Sequence, residues 1–145
     1  MQVTPWLTPF ETAQIDAVMR LCEAVFSPPP IDIHWRLSQM PQASIFVAQD
    51  GDRLIGFKAG YAIAERRYYS WLGGVHPDFR GQGIATLLAH AQHQWLAKRG
   101  YTAVETVSRS ENSAMAHLNL KLGFTVEGTK AEPQVLKVLW SKRLA

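Results

Sequence analysis

The sequence predicts an α+β fold in which a mixed, twisted β-sheet is flanked by helices. Three observations predict it. Segments with strand patterning and segments with apolar residues at helical spacing follow the order β, α, α, β, β, β, α, β, α, β, β, with turn residues between them. The strands at 44–49, 54–63 and 68–76 succeed one another through short turns, which favours antiparallel pairing. A long helix over 83–99 separates the strands at 68–76 and 102–108, and a helical crossover of that length makes its two strands parallel.

Residues 2–7 read as a short strand. Thr8-Pro9-Phe10-Glu11 then reads as a helix start, with Thr8 as N-cap, Pro9 in the first turn and Glu11 three residues on. That helix runs to about Phe26, its residues Ile15, Val18, Met19, Cys22, Val25 and Phe26 recurring at helical spacing, and Ser27-Pro28-Pro29-Pro30 ends it. Residues 32–40 form a short second helix containing Trp35. Asp50-Gly51 is the turn between the strands at 44–49 and 54–63, and the aromatic-rich strand at 68–76 stops at Pro77.

The helix over 83–99 directs Ile84, Leu87, Leu88, Ala91 and Trp95 inward and His90, His93, Gln94 and Lys98 mostly outward, and Gly100 closes it. A strand at 102–108, a helix at 112–122 closed by Gly123, and two strands at 124–128 and 135–142 complete the chain. With no repeat, linker or low-complexity segment, one domain over 1–145 is expected.

Composition narrows the function classes. Hydrophobic residues make up 47% and charged residues 19% of the chain, a balance that supports a packed core and argues against disorder. No run approaches the ~18 apolar residues that span a bilayer, and Met1-Gln2-Val3-Thr4-Pro5 lacks the pattern of a secretory signal. A cytoplasmic protein with no membrane partner is expected. The net charge of +3 comes from scattered Lys and Arg, so nucleic acid is not an expected partner. The lone Cys22 can form no internal disulfide and reads as core. His90 and His93 stand three apart with no acidic neighbour, so both are expected at the surface and no metal is expected.

The stretch Val75-His76-Pro77-Asp78-Phe79-Arg80-Gly81-Gln82-Gly83-Ile84-Ala85 carries the chemistry. It is a strand end, a glycine-containing loop and the start of the long helix, which together make an anion site. Unpaired N–H groups of the first helical turn point outward, the helix dipole adds positive potential, and glycines admit a phosphate close to the backbone. No Gly-Lys-Ser/Thr follows as in a triphosphate loop, and Thr86 stands where a dinucleotide fingerprint has its third glycine. Two adjacent glycines, Gly73 and Gly74, weaken a strand and point to a bulge or the close approach of a ligand.

This stretch resembles the pyrophosphate motif of the GNAT N-acetyltransferase superfamily, Gln/Arg-x-x-Gly-x-Gly/Ala, with Arg80, Gly83 and Ala85 filling it after a strand end at Val75 and Pro77. Asn112-x-x-Met115-x-x-Leu118-Asn119-x-x-Leu122-Gly123-Phe124 is similar to the family's later helix and its closing Gly-Phe. The resemblance covers residues 44–129, while the first 40 residues match in element order alone.

The resemblance implies a GNAT fold whose strands at 68–76 and 102–108 splay to admit the pantetheine arm of acetyl-CoA, and an enzyme that moves the acetyl group to a primary amine by direct attack. It implies that the backbone of Arg80, Gly81, Gln82, Gly83, Ile84 and Ala85 holds the pyrophosphate, that Val75 lies along the pantetheine, and that Asn112 contacts the cosubstrate, caps the helix, or does both. The amide of Gly73 falls where the family places its donor to the thioester carbonyl. Asn119 stands where many members carry a Tyr acid, so it either orients the sulfur or is a polar helix residue. Tyr69 falls near where some relatives carry a Glu, with Tyr68 and Ser70 facing the other way. A water chain could equally serve as base, and Glu65 reads as surface. Trp35 and Trp71 fall in segments that could line an acceptor site. The acceptor is a small-molecule amine or a peptide α-amine, and a homodimer could form through the C-terminal strands. The alternative class is a CoA-binding sensor with weak or no catalysis.

Overall fold

The computed structural model describes residues 2–144. The elements are β1 (Gln2–Leu7), α1 (Thr12–Val25), α2 (Ile33–Gln39), β2 (Ser44–Asp50), β3 (Arg53–Ala62), β4 (Arg67–Val75), α3 (Ile84–Lys98), β5 (Ala103–Arg109), α4 (Ser113–Lys121), β6 (Thr125–Glu132) and β7 (Val135–Arg143), with a 3-10 turn at Pro77–Phe79 before α3. The strands form one mixed sheet in the order β1-β2-β3-β4-β5-β7-β6. Every neighbouring pair is antiparallel except β4 and β5, the two strands joined by α3.

Both faces of the sheet are covered. On one face Ile15, Val18, Leu21 and Cys22 of α1 and Ile33 and Leu37 of α2 pack on Ile45, Val47, Phe57, Ala59 and Tyr61. On the other, Ile84 and Leu88 of α3 pack on Phe46, Ala48 and Ile55, while Ala89 and Leu96 join Tyr68, Val104, Leu122, Phe124 and Trp140. Tyr68 is the hub of this second face. Its hydroxyl accepts from or donates to Ser44 Oγ at 2.7 Å and reaches the carbonyls of Gln42 at 2.8 Å and Gly60 at 3.0 Å, and burial raises its pKa. Cys22 is buried, its thiol pushed up to about 11 by desolvation.

Three sequence expectations need correction. Helix α1 starts at Thr12 with Glu11 as N-cap, and not at Thr8. The Thr8 amide donates to Ala43 O, tying that residue to the sheet edge, and Gln14 Oε1 accepts from the Glu11 amide instead. The inward face of α3 is Ile84, Leu88, Ala89, Gln92, His93 and Leu96, whereas Leu87 is 46% exposed. His93, expected outside, is inside because α4 and β7 cover the flank of α3 that an amphipathic pattern assigns to water. Strand β6 runs to Glu132 and not to Gly128. It is an edge strand with mostly exposed side chains, specified by its ladder with β7 more than by its own pattern.

Among the described residues no helix is long and apolar enough to cross a membrane.

Candidate active site

The site begins where two parallel strands part. β4 and β5 pair only at Arg67↔Ala103, Tyr68↔Val104 and Tyr69↔Glu105, although β4 continues to Val75 and β5 to Arg109. At the mouth of the gap Thr106 Oγ1 donates to Ser70 O at 2.9 Å, a side chain standing in for a ladder bond. The register of β3 against β4 shifts between Ala59↔Leu72 and Gly60↔Ser70, leaving Trp71 as an extra residue. This bulge bends β4 away from β5. The bulge lies upstream of Gly73-Gly74, where the paired glycines had suggested it. Gly74 has its own reason for being glycine, since a Cβ there would stand 2.5 Å from Val25 Cγ1 of α1.

The edge of β4 that faces the gap is polar. His76 N donates to Ile55 O at 2.7 Å, so by the alternation of an antiparallel ladder Phe57 with Gly74 and Ala59 with Leu72 exchange hydrogen bonds with β3. The N–H and C=O groups of Gly73 and Val75 therefore point into the gap. An extended ligand can pair with such an edge as a further strand would.

The gap leads to the loop before α3. Gly81 and Gly83 have φ of +77° and +79°, a region other residues reach at a cost. A Cβ on either glycine would meet nothing within 4 Å, because both border a cavity of about 120 Å³ lined also by Val75, Phe79, Arg80, Ile84, Ala85 and Thr86. Helix α3 has no side-chain cap, so the amides of its first turn remain free for an anion. Gln82 is exposed in this loop, and Arg80 Nε donates back to Val75 O at 3.1 Å, bracing the loop against β4. At α4 the arrangement differs, with Asn112 Oδ1 accepting from Met115 N at 3.0 Å. Its N-cap role is thus present, and its Nδ2 stays available. A larger hollow of about 340 Å³ lies at the other end of β4, beside Pro41, Ala62, Glu65 and Tyr101, far along the strand from this loop.

On the face covered by α3 and α4, buried polar atoms accumulate without partners. They are Ser70 Oγ, both side-chain polar atoms of Gln92, His93 Nε2 and Asn119 Nδ2. A buried unsatisfied group costs about 1–3 kcal/mol, so this concentration marks a place that ordered water or a ligand can complete. Lys142 Nζ lies 3.0 Å from His93 Nδ1. A lysine ammonium can only donate, so the imidazole proton sits on Nε2. Desolvation, with Lys142, Lys58 and His90 adding to it, lowers the His93 pKa to about 3, which keeps the ring neutral. Lys58 of β3 projects from the same face. Desolvation lowers its pKa to about 8, and it forms no hydrogen bond or ion pair among the described residues.

Tyr69 lies across the sheet from Asn119. Its ring meets Tyr61 edge-on with centroids 5.5 Å apart, and Trp71 follows at 6.2 Å from Tyr61. Arg36 of α2 donates to Tyr61 Oη at 2.8 Å, pairs with Asp32, and lies 4.8 Å from the Trp71 ring centroid. Burial raises the Tyr69 pKa, so the phenol holds its proton at neutral pH. Trp35 is 62% exposed and Glu65 is exposed. No group of His, Cys, Asp and Glu among the described residues could hold a metal ion.

The family model described as "Acetyltransferase (GNAT) family" matches residues 6–124. The chain belongs to the GNAT acetyltransferase family. An acetyltransferase of Yersinia enterocolitica is 31% identical over 101 residues, 70% of each chain. An acetyltransferase of Pectobacterium atrosepticum is 28% identical over 120 residues, covering 79% of this chain and 84% of its own. The ribosomal-protein-S18-alanine N-acetyltransferase of Escherichia coli has the same fold, with a TM-score of 0.83 at 16% identity over 98% of this chain and 95% of its own. The PaiA N-acetyltransferase of Thermoplasma acidophilum, solved in complex with coenzyme A, aligns with a TM-score of 0.77 at 14% identity over 99% of both chains.

The GNAT chain is thus an acetyltransferase in which the residues singled out from sequence fall into three groups. Gly73 and Val75 edge the gap, Arg80 to Ala85 form the loop below it, and Asn119 stands on the α3/α4 face, while Tyr69 is on the opposite face. Sequence reasoning missed Lys58, His93 and Gln92. Lys58 alternates with Gly56 and Gly60 in a strand, and two glycines flanking a lysine on one face were the available signal that a helix packs close there.

Proposed function

We propose that this enzyme transfers the acetyl group of acetyl-CoA to a primary amine by direct attack, with the whole chain 1–145 acting as one cytoplasmic acetyltransferase domain. The observation that carries the reading is the continuous path from the glycine loop to the open edge of β4. A pyrophosphate at the amides of Gly81 to Ala85 leaves the pantetheine arm to run along Val75 and Gly73. The Gly73 N–H then faces the thioester carbonyl and stabilises the negative charge that develops on its oxygen. Asn112 Nδ2 donates to the cosubstrate from the start of α4, and Asn119 Nδ2, buried and unpaired, orients the sulfur. The acceptor enters from the α1/α2 face, between Tyr69, Trp71 and the exposed Trp35. Tyr69, held protonated by burial, serves there as a donor or a wall and not as a base.

Thiol release from acetyl-CoA, measured against a panel of small amines and of short peptides with free α-amines, tests this reading. Release above the buffer rate with either class supports the transferase and identifies the acceptor class. Tight acetyl-CoA binding with no release for any amine favours a sensor.

With the acceptor in hand, Asn119→Ala is expected to lower turnover about tenfold, equivalent to ~1.4 kcal/mol of barrier. The loss is independent of pH, because an amide does not titrate. Acetyl-CoA affinity stays within a few-fold of wild type. A thousandfold loss with intact binding contradicts an orienting role and makes Asn119 essential to the chemistry.

A further inference from the structure

The geometry points to Lys58 as the group that protonates the departing CoA thiolate, an assignment that rests on the acetyl-transfer reading above. Lys58 is the cross-strand partner of Gly73, the residue whose amide faces the gap. Its Cγ passes 3.7 Å from where a Cβ on Gly73 would stand, so the stem lies over β4 at the one position without a side chain to block it. Strands lie ~4.8 Å apart, and a four-carbon stem leaning across one strand brings the amino group to the gap beyond it. On its own strand Lys58 is flanked on the same face by Gly56 and Gly60. There α3 comes down onto β3, with Ile84 and Leu88 over Gly56 and Gln92 over Gly60, which closes the other directions.

The titratable group that interacts with Lys58 is His93 from α3, which in turn has Lys142 of β7 and His90 about it, while the Tyr68 ring lies over the neighbouring Gly60. None is a carboxylate, and desolvation is the only cause that moves Lys58. A lysine buried without a counter-ion destabilises a protein at neutral pH, so no gain in stability accounts for Lys58. Asn119, in place of a phenol, can orient a sulfur and cannot give it a proton. A thiol of pKa ~8.5 and a lysine near 8 are matched for transfer.

The acceptor nitrogen bonds to the acetyl carbon, the carbon–sulfur bond breaks with its electron pair going to sulfur, and sulfur takes a proton from Lys58 Nζ. The surplus proton on the acceptor nitrogen passes to water, and Lys58 regains one from water. Amine and acetyl-CoA thus become amide and CoA thiol.

The test compares wild type, Lys58→Met and Lys58→Arg, first with CoA alone. Calorimetry is expected to give CoA binding in all three. The pH midpoint at which the ultraviolet thiolate band of bound CoA grows in is expected to be lower in wild type and in Lys58→Arg, where a cation faces the sulfur, than in Lys58→Met. Turnover with an identified acceptor falls about a hundredfold in both variants, because arginine keeps the charge but cannot release a proton. In wild type it declines above about pH 8 as Lys58 deprotonates.

Stability reports separately whether Lys58 is buried without a counter-ion. Between about 8 and 10.5 the unfolded chain binds the Lys58 proton and the folded chain does not, so this group's contribution rises with pH across that window and is unfavourable below it. Lys58→Met therefore raises Tm at pH 7, and the gain shrinks towards pH 10. Full turnover in Lys58→Arg, or a thiolate midpoint unchanged in Lys58→Met, overturns the assignment while leaving the acetyl-transfer reading standing. Failure of wild type to bind CoA removes that reading, and Lys58's role with it.

Discussion

Gly83→Val is expected to weaken acetyl-CoA binding at least about a hundredfold, ~2.7 kcal/mol, in a protein that stays folded. Gly83 sits at φ +79° with open space before it. A β-branched residue there is strained by roughly 1–2 kcal/mol, less than the several kcal/mol by which a domain of this size is stable. Its methyl groups would occupy the cavity of about 120 Å³ and cover the free amides of the first turn of α3. Gly51→Val is the control. Gly51 has φ +63° and also nothing within 4 Å, yet it lies in the turn between β2 and β3, so the same strain there leaves affinity unchanged. Calorimetric titration of both variants decides the matter. Wild-type affinity in Gly83→Val would mean that the loop is only a turn.

At Gly60 the expectation inverts, with fold lost in place of binding. A Cβ on Gly60 would stand 2.5 Å from Tyr69 O and 2.8 Å from Tyr68 Cε2. The first neighbour is backbone of the adjoining strand and the second is the buried hub of the α3 face, so neither can yield cheaply. Gly60 O also receives a hydrogen bond from the Tyr68 hydroxyl, and Gly60 borders the bulge at Trp71. Gly60→Ala is therefore expected to cost more than about 3 kcal/mol, at the upper end for a single methyl group. A denaturation midpoint within ~1 kcal/mol of wild type would show that β3 and β4 can separate there, and with them the bend that opens the site.

What could be read in the sequence and what could not divides along local and tertiary lines. The order of strands and helices was legible because turn residues punctuate it, and the anion loop because Gly81 and Gly83 occupy positions that only glycine accepts without strain. The parallel pairing of β4 and β5 followed from the α3 crossover alone. The gap itself is tertiary. It depends on the bulge at Trp71, and nothing in Ser70-Trp71-Leu72 distinguishes an extra residue from a regular strand. Lys58 was missed because alternation along β3 assigns the face of Gly56, Lys58 and Gly60 to solvent whenever only one side of a sheet is thought to be covered. His93 was missed for the same reason, since a histidine beside His90 and Gln94 reads as polar surface until α4 and β7 fold over it. Asn119 was singled out by position in a motif, but its burial with an unpaired Nδ2 required the packed helix.

If this acetyltransferase draws its acetyl group from acetyl-CoA held between β4 and the start of α3, that ligand raises its melting temperature. A ligand that binds only the folded state stabilises it by mass action, by ~2.7 kcal/mol at a hundred times its Kd, which for a domain of this size raises Tm by several degrees. At a hundred times the wild-type Kd, acetyl-CoA is expected to produce that rise in wild type and a far smaller one, from at most ~0.4 kcal/mol, in Gly83→Val. Equal melting of wild type with and without saturating acetyl-CoA would mean that acetyl-CoA does not occupy this site.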